Sequence, residues 1–121
     1  MNRQEVGKLG EKLAQKFLKK KGYRILETGF RCREGEIDIV ARHKDYLVFI
    51  EVRTKSNLDF GTPEESITPS KKEKLITSAL TYIKAHPDSP SLRRIDVVAI
   101  EIDSKGKTQR IELIENAIEQ G

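Results

Sequence analysis

The sequence predicts an α/β sandwich, a mixed β-sheet flanked by helices, in the order helix, three strands, helix, two strands. Three observations carry that prediction. Two segments repeat their apolar residues at helical spacing, and the segments between and after them read as extended chain. Tyr46-Leu-Val-Phe-Ile50 is apolar on both faces, as expected of a strand in mid-sheet covered on both sides. At 121 residues the chain is the size of one domain, here taken as 1–121, able to bury roughly two thirds of its unfolded surface.

The first helix is expected from about Arg3 to Lys21. Val6, Leu9, Leu13, Phe17 and Leu18 recur at helical spacing, with lysines largely on the other faces. Gly22 supplies the stop, and Lys19-Lys-Lys21 complements the helix dipole. Tyr23 to Arg31 reads as extended. Gly35 to Ala41 is a strand with Ile37, Ile39 and Ala41 on one face, and Tyr46 to about Thr54 is the next, after a turn near Lys44-Asp45. The second helix should run from about Ser70 to Ala85. Ser70 and Glu73 suit a capping box, and Thr68-Pro69 offers a different start. Its apolar stripe is Leu75, Ile76, Ala79, Leu80 and Ile83. Arg94 to Ile102 and Lys107 to Ile114 are the last strands, paired across Ser104-Lys-Gly106. The loops Ser56–Thr68 and His86–Leu92 carry Gly61, Pro63, Pro87 and Pro90.

Composition excludes several classes. A single cysteine, Cys32, permits no intrachain disulfide and suits a reducing cytoplasm, where we expect the protein to work. With only two histidines there is no set for a structural zinc site. No apolar run approaches the ~20 residues of a membrane span, and the N-terminus, with Glu5 and Glu11, lacks the apolar core of a signal peptide. The formal charge is +4 and is unevenly spread. There are 14 basic and 8 acidic residues up to Lys55, against 9 and 11 afterwards. That balance permits a polyanionic partner without requiring one.

Two acids stand inside apolar strand sequence. Asp38 lies between Ile37 and Ile39, and Glu51 between Ile50 and Val52. An ionised carboxylate there is costly unless it is paired or binds a cation. A hairpin of this length is able to place both at one end of the sheet, where hard oxygen donors would suit Mg²⁺ or Mn²⁺. Glu51, Arg53 and Lys55 share one strand face. A metal-holding carboxylate with a cation two residues on suits phosphodiester hydrolysis: the metal activates water, and the cation steadies charge growing on the phosphoryl group. The same pattern fits a structural ion pair in which Arg53 neutralises Glu51 or Asp38. Glu36 either shares the site or is an exposed strand-start residue.

Gly35-Glu-Ile-Asp38 followed by Phe49-Ile-Glu-Val-Arg53 resembles the active-site signature of the PD-(D/E)XK nuclease superfamily. The longer string is similar to the YraN family of small proteins related to archaeal Holliday-junction resolvases. It takes in Gly7-Lys-Leu-Gly-Glu11 with Ala14, Gly22-Tyr23, Gly35 to Ala41, Val48 to Lys55, Lys71-Lys72 and Arg94 to Val98. The resemblance implies a restriction-endonuclease-like sandwich and a Mg²⁺- or Mn²⁺-dependent endonuclease acting on branched or structured DNA. It implies Asp38, Glu51 and the Val52 carbonyl as metal ligands, and Glu11 as an additional acid. It also makes a homodimer attractive, since two cuts across a junction need two sites. The superfamily's catalytic lysine is here Arg53, which holds phosphate well but is a poor base; Lys55 on the same face is a partial substitute. A nucleic-acid-binding or adaptor module with weak or no catalysis is the competing reading, and a purely structural acid–base network is a third.

Arg31, Arg33, Lys71 and Lys72 are the expected backbone contacts, the last two at a helix N-terminus suited to phosphate. Little aromatic interleaving is visible, so base stacking is not favoured, and Phe30, Phe60 and Tyr23 are expected to pack. Cys32, His43 and His86 are read as ordinary residues. Asp96 is read as a support for Arg94 or for a neighbouring strand end rather than as a ligand.

Overall fold

The computed structural model describes residues 1–118. Helix α1 spans Arg3–Lys20. Strands β1 (Arg24–Cys32), β2 (Gly35–His43) and β3 (Tyr46–Lys55) follow. A single 3₁₀ turn, Glu64–Ser66, precedes helix α2 (Pro69–Ala85), and β4 (Leu92–Ile102) and β5 (Thr108–Ile114) complete the chain. The five strands form one sheet in the order β1-β2-β3-β4-β5. β3 and β4 run parallel, joined through α2, and every other pair is antiparallel. The α/β sandwich with a mixed sheet is the architecture expected from the sequence. No helix among the described residues is long and apolar enough to cross a membrane.

Each face of the sheet carries one helix over its own core. Ala14 and Leu18 of α1 pack on Ile39, Val48, Ile50, Val98 and Ile100. Leu75, Ala79 and Tyr82 of α2 pack on Val40, Leu47, Phe49 and Ile95. The central strands β3 and β4 are buried on both faces, which is why they read as unbroken apolar runs.

The helix ends follow local chemistry. Asn2 caps α1 in a reciprocal capping box with Glu5. At its other end Gly22 adopts φ +89°, the Gly22 N–H donates to the Lys19 carbonyl, and the Tyr23 N–H donates to the Leu18 carbonyl at 3.0 Å. This is a Schellman closure, with Leu18 and Tyr23 as its apolar contact. For α2 the start is Thr68, whose hydroxyl accepts from the Lys71 N–H, with Pro69 as the first helical residue. The Ser70–Glu73 box is not used, because proline's preset φ favours the earlier start.

Two expectations are corrected. The buried face of α2 is Leu75, Ser78, Ala79 and Tyr82, whereas Leu80 is 46% exposed. The amphipathic Tyr82 takes the inward place, edge-on to Phe30 and Phe49 and stacked on His86. In β2, Ile37 joins the α2-side core with Val40, while Ile39 and Ala41 join the α1 side. Alternation therefore breaks between residues 37 and 39. The ladder with β3 runs from His43–Tyr46 to Ile39–Ile50 and ends there, freeing the chain at Asp38 to turn.

Gly10 sets how closely α1 approaches β3. A Cβ there would lie 2.8 Å from the Cβ of Thr54, a stiff β-branched neighbour. Alanine ordinarily favours a helix over glycine by about 1 kcal/mol. Here we expect the opposite sign, with Gly10→Ala destabilising by about 1–3 kcal/mol through overpacking. Thermal melts check this, and a raised melting temperature in the variant would refute it.

Candidate active site

The end of the β2–β3 ladder creates the site. Past Ile39–Ile50 the strands no longer pair, and the Val52 N–H donates to Asp38 Oδ2 at 2.8 Å. That bond turns the Asp38 carboxylate toward β3. Glu51, only 2% exposed, meets it there, within hydrogen-bonding reach of Asp38. The Glu51 Oε2 also stands 3.4 Å from Arg53 Nη1 and 3.5 Å from Lys71 Nζ in the first turn of α2. Burial, and next the Asp38 charge, push the Glu51 carboxyl up to about 8, against the pull of Lys71 and Arg53.

These groups line a cleft of about 660 Å³. Glu11 enters it from α1, its proton affinity raised by partial burial and then by Asp38 and Glu36. Arg3, Arg53, Lys55 and Lys71 also line it, so four cations surround three acids. Arg3, Gly7 and Glu11 are spaced four apart, which puts them on one face of α1. That spacing, visible in the sequence, is what puts Arg3 on the cleft side of the helix beside Glu11. Ser66 is, with Arg3, an addition to the expected set: its hydroxyl accepts from Arg53 Nε at 2.9 Å. Lys55 Nζ reaches the carbonyls of Phe60 and Gly61, each at 3.5 Å, and so braces the loop after β3.

Other residues singled out in the sequence lie elsewhere. Arg31, Arg33 and Lys72 do not line the cleft; Arg31 is 82% exposed and 3.8 Å from Glu36. Glu36 is thus a half-buried neighbour of the site rather than part of its lining. Phe60 does not pack. It is 91% exposed at the cleft, because its loop projects beyond the end of β3 with no core layer beneath. Cys32 is a free, half-buried thiol.

The residues fit a hard dication at the Asp38–Glu51 pair. Of these two carboxyl groups in mutual reach, the buried Glu51 has two long ion pairs, with Arg53 and Lys71 at 3.4 and 3.5 Å, and a bound dication would offset the charge the two acids share. The donors are all oxygen, as Mg²⁺ and Mn²⁺ prefer. Among the described residues no three acidic, His or Cys side chains form a ready metal group. The structure thus brings together a pair, with Glu11 across the cleft.

Residues 10–100 match the model of Uncharacterised protein family UPF0102, a span that includes Glu11, both strand acids, all of β3 and β4 as far as Ile100. The chain belongs to this family. A UPF0102 protein of Dehalococcoides mccartyi strain BAV1 is 50% identical over 117 residues, covering 97% of this chain and 95% of that one. A UPF0102 protein of Caldicellulosiruptor bescii is 46% identical over 118 residues, 97% of this chain and 99% of the other. One from Roseiflexus castenholzii is 45% identical over 120 residues, covering 98% and 96%. UPF0102 is the YraN family that the motifs resemble. In these relatives the matched region is nearly the whole protein.

Proposed function

We propose that the protein is a metal-dependent endonuclease, a single nuclease-like domain of the cytoplasm that hydrolyses phosphodiester bonds in branched or otherwise structured DNA. One observation carries the reading: the Asp38 and Glu51 carboxyl groups meet in a cleft lined by Arg3, Arg53, Lys55 and Lys71. A purely structural ion pair has no need of a second carboxyl beside a buried one. Asp38, Glu51 and the Val52 carbonyl would hold Mg²⁺ or Mn²⁺, with Glu11 the outlying acid. The bound ion supplies Lewis acidity and a more acidic water.

The chain's own groups do the rest. Arg53 keeps its charge and offers a fork to a phosphate oxygen. Lys71 stands over the same carboxylate and can turn to the phosphate as a point charge. Glu11, with its raised proton affinity, is suited to accept a proton from water. Arg31, Arg33 and Lys72 lie outside the cleft and are assigned to the flanking backbone. Paired cuts across a junction would come from a homodimer.

A binding or adaptor module with weak or no catalysis is the second reading. Arg53 favours it, since this arginine replaces a lysine and is tied to Ser66 as well as Glu51. The test is cleavage of labelled linear, flap and four-way-junction DNA with Mg²⁺ or Mn²⁺, beside Asp38→Ala and Glu51→Ala checked for folding. We expect metal-dependent cuts that both variants lose. Binding without cleavage by the wild type would select the module, and cleavage surviving in both variants would remove these acids from the chemistry.

A further inference from the structure

The sequence holds four Phe, three Tyr and no Trp. Tyr23, Phe49 and Tyr82 are buried, and Phe17, Phe30 and Tyr46 pack against the two cores. Phe60 alone stands 91% exposed, and it does so on the rim of the cationic cleft. Leu58 on the same loop is 49% exposed, and Met1, at 53%, also lines the cleft. An exposed ring forgoes the stabilisation that burial gives, so its position needs another reason.

The loop beneath it is held rather than free. Lys55 Nζ reaches the Phe60 and Gly61 carbonyls at 3.5 Å. The Gly61 N–H donates to the Leu58 carbonyl at 3.1 Å, and Gly61 takes φ +101°, a conformation that glycine adopts without strain. The Asp59 N–H donates to the Asn57 side chain at 2.7 Å, and Glu65 accepts from the Thr62 N–H and hydroxyl at 2.8 Å. Beyond it, Arg110 ties Glu64 of the 3₁₀ turn to Glu101 on β4. The ring is therefore presented at a set place beside the site. A planar apolar face next to phosphate-binding cations matches a nucleobase whose own phosphate sits in the cleft, because base and phosphate are joined by one sugar. A base paired and stacked in continuous duplex has no free face to offer.

We propose that Phe60 is a base-stacking residue that selects strands with an unpaired nucleobase beside the phosphate in the cleft. The proposal rests on the nuclease reading of that cleft and names its substrate class: loops, flaps and branch points over continuous duplex. The sequence, with little aromatic interleaving, does not favour stacking; the exposed Phe60 is the ring placed to supply it. Lys55 acts as a positioning residue that fixes the loop.

The test is binding by the full chain, with Ca²⁺ in place of Mg²⁺, to a labelled single-stranded oligonucleotide and to the blunt duplex of the same sequence. Phe60→Ala should weaken single-strand binding about tenfold and leave duplex binding unchanged. Phe60→Trp should restore it, and its indole, the chain's lone Trp emitter, should be quenched more by the single strand than by the duplex. Phe60→Leu should fail to restore it. The residue is too exposed for these variants to threaten the fold, and matching melting temperatures would check that. Equal weakening on both oligonucleotides, or full rescue by Phe60→Leu, would overturn the proposal. So would a wild-type dimer in sedimentation that Phe60→Ala dissociates, which would assign the ring to a second copy. If the wild type binds neither oligonucleotide, or if Lys71→Gln leaves binding of both unaltered, the nuclease reading falls and this proposal with it.

Discussion

Glu51→Gln is expected to make the protein more stable and inactive at once. The Glu51 carboxyl is raised to about 8, first by burial and then by Asp38, from an ordinary value of 4.5. The folded state therefore holds this proton more tightly than the unfolded chain does. Its contribution favours folding while the group is protonated in the native state. That contribution is lost as pH rises from about 4.5, where the unfolded chain ionises, to about 8, where the folded one must. Glutamine has the shape of the protonated acid and no charge to desolvate. The melting temperature of Glu51→Gln should thus match the wild type near pH 4, exceed it increasingly up to pH 8, and keep a constant lead above that. Each tenfold change in proton affinity is worth about 1.4 kcal/mol, so the gain should reach a few kcal/mol. Added Mg²⁺ or Mn²⁺ at pH 8 should raise the wild type by mass action and leave the variant unmoved. Nuclease activity, where the wild type has it, should fall to background. A variant less stable than the wild type at pH 8 would show that the Arg53 and Lys71 pairs outweigh burial, and the site would then be an ordinary ion-pair network.

The second large effect concerns an acid with the opposite role. Asp96 is fully buried on β4 and fully occupied. Arg94 Nε donates to its two oxygens at 2.9 and 3.1 Å, the Tyr23 hydroxyl donates at 3.2 Å, and the Asn116 N–H at 2.9 Å. Arg94 also donates to the Tyr23 hydroxyl at 2.6 Å and lies over the Tyr46 ring. The Tyr23 phenol is pushed up to about 12 by burial and then by Asp96, so it stays a donor. Asp96→Ala would leave Arg94 Nε, the Tyr23 hydroxyl and the Asn116 N–H without their acceptor, and the largely buried guanidinium with only Tyr23 and, at 3.7 Å, Glu115. The cost of breaking such a pair is about 3–5 kcal/mol. For a chain of this size that lowers the melting temperature by roughly 10–20 °C. Asp96→Asn, which keeps the acceptor oxygen, should lose less. Asp38→Ala, at a half-buried cleft position, should lose less again and yet abolish the metal effect. A melting temperature for Asp96→Ala within about 2 °C of the wild type would refute the network's structural role.

The contrast between these acids shows what was legible in the chain. Asp38, Glu51 and Asp96 all stand in apolar strand sequence; Asp96 is set apart there as a support for Arg94, yet Glu51 also has an arginine two residues away, so the pattern by itself does not tell a satisfied acid from an unsatisfied one. What separates them is their partners. Asp96 meets Arg94 two residues away and Tyr23 from the far end of α1, so its charge is satisfied within the fold. Glu51 meets another acid. The α2 stripe failed in a similar way. Leu80 and Tyr82 are both apolar enough for the inward face, and only the place of Phe30 and Phe49 on the sheet decided for Tyr82. Phe60 could be assigned from composition only as one more core aromatic.

The element order, the strand directions across the short β2–β3 and β4–β5 turns, the glycine stop of α1 and the covered middle of the sheet were determined by the sequence itself. Periodicity, turn residues and caps are local properties, carried by neighbouring residues. The hairpin that can bring Asp38 and Glu51 to one end of the sheet was also legible, but the contact of their carboxyl groups, the place of Lys71 at Glu51 and of Arg3 in the cleft, and the exposure of Phe60 were decided only in three dimensions. They depend on where the β2–β3 ladder ends, how closely Gly10 lets α1 approach Thr54, and where α2 begins relative to β3. Those are packing distances between elements far apart in the chain, and no local pattern encodes them.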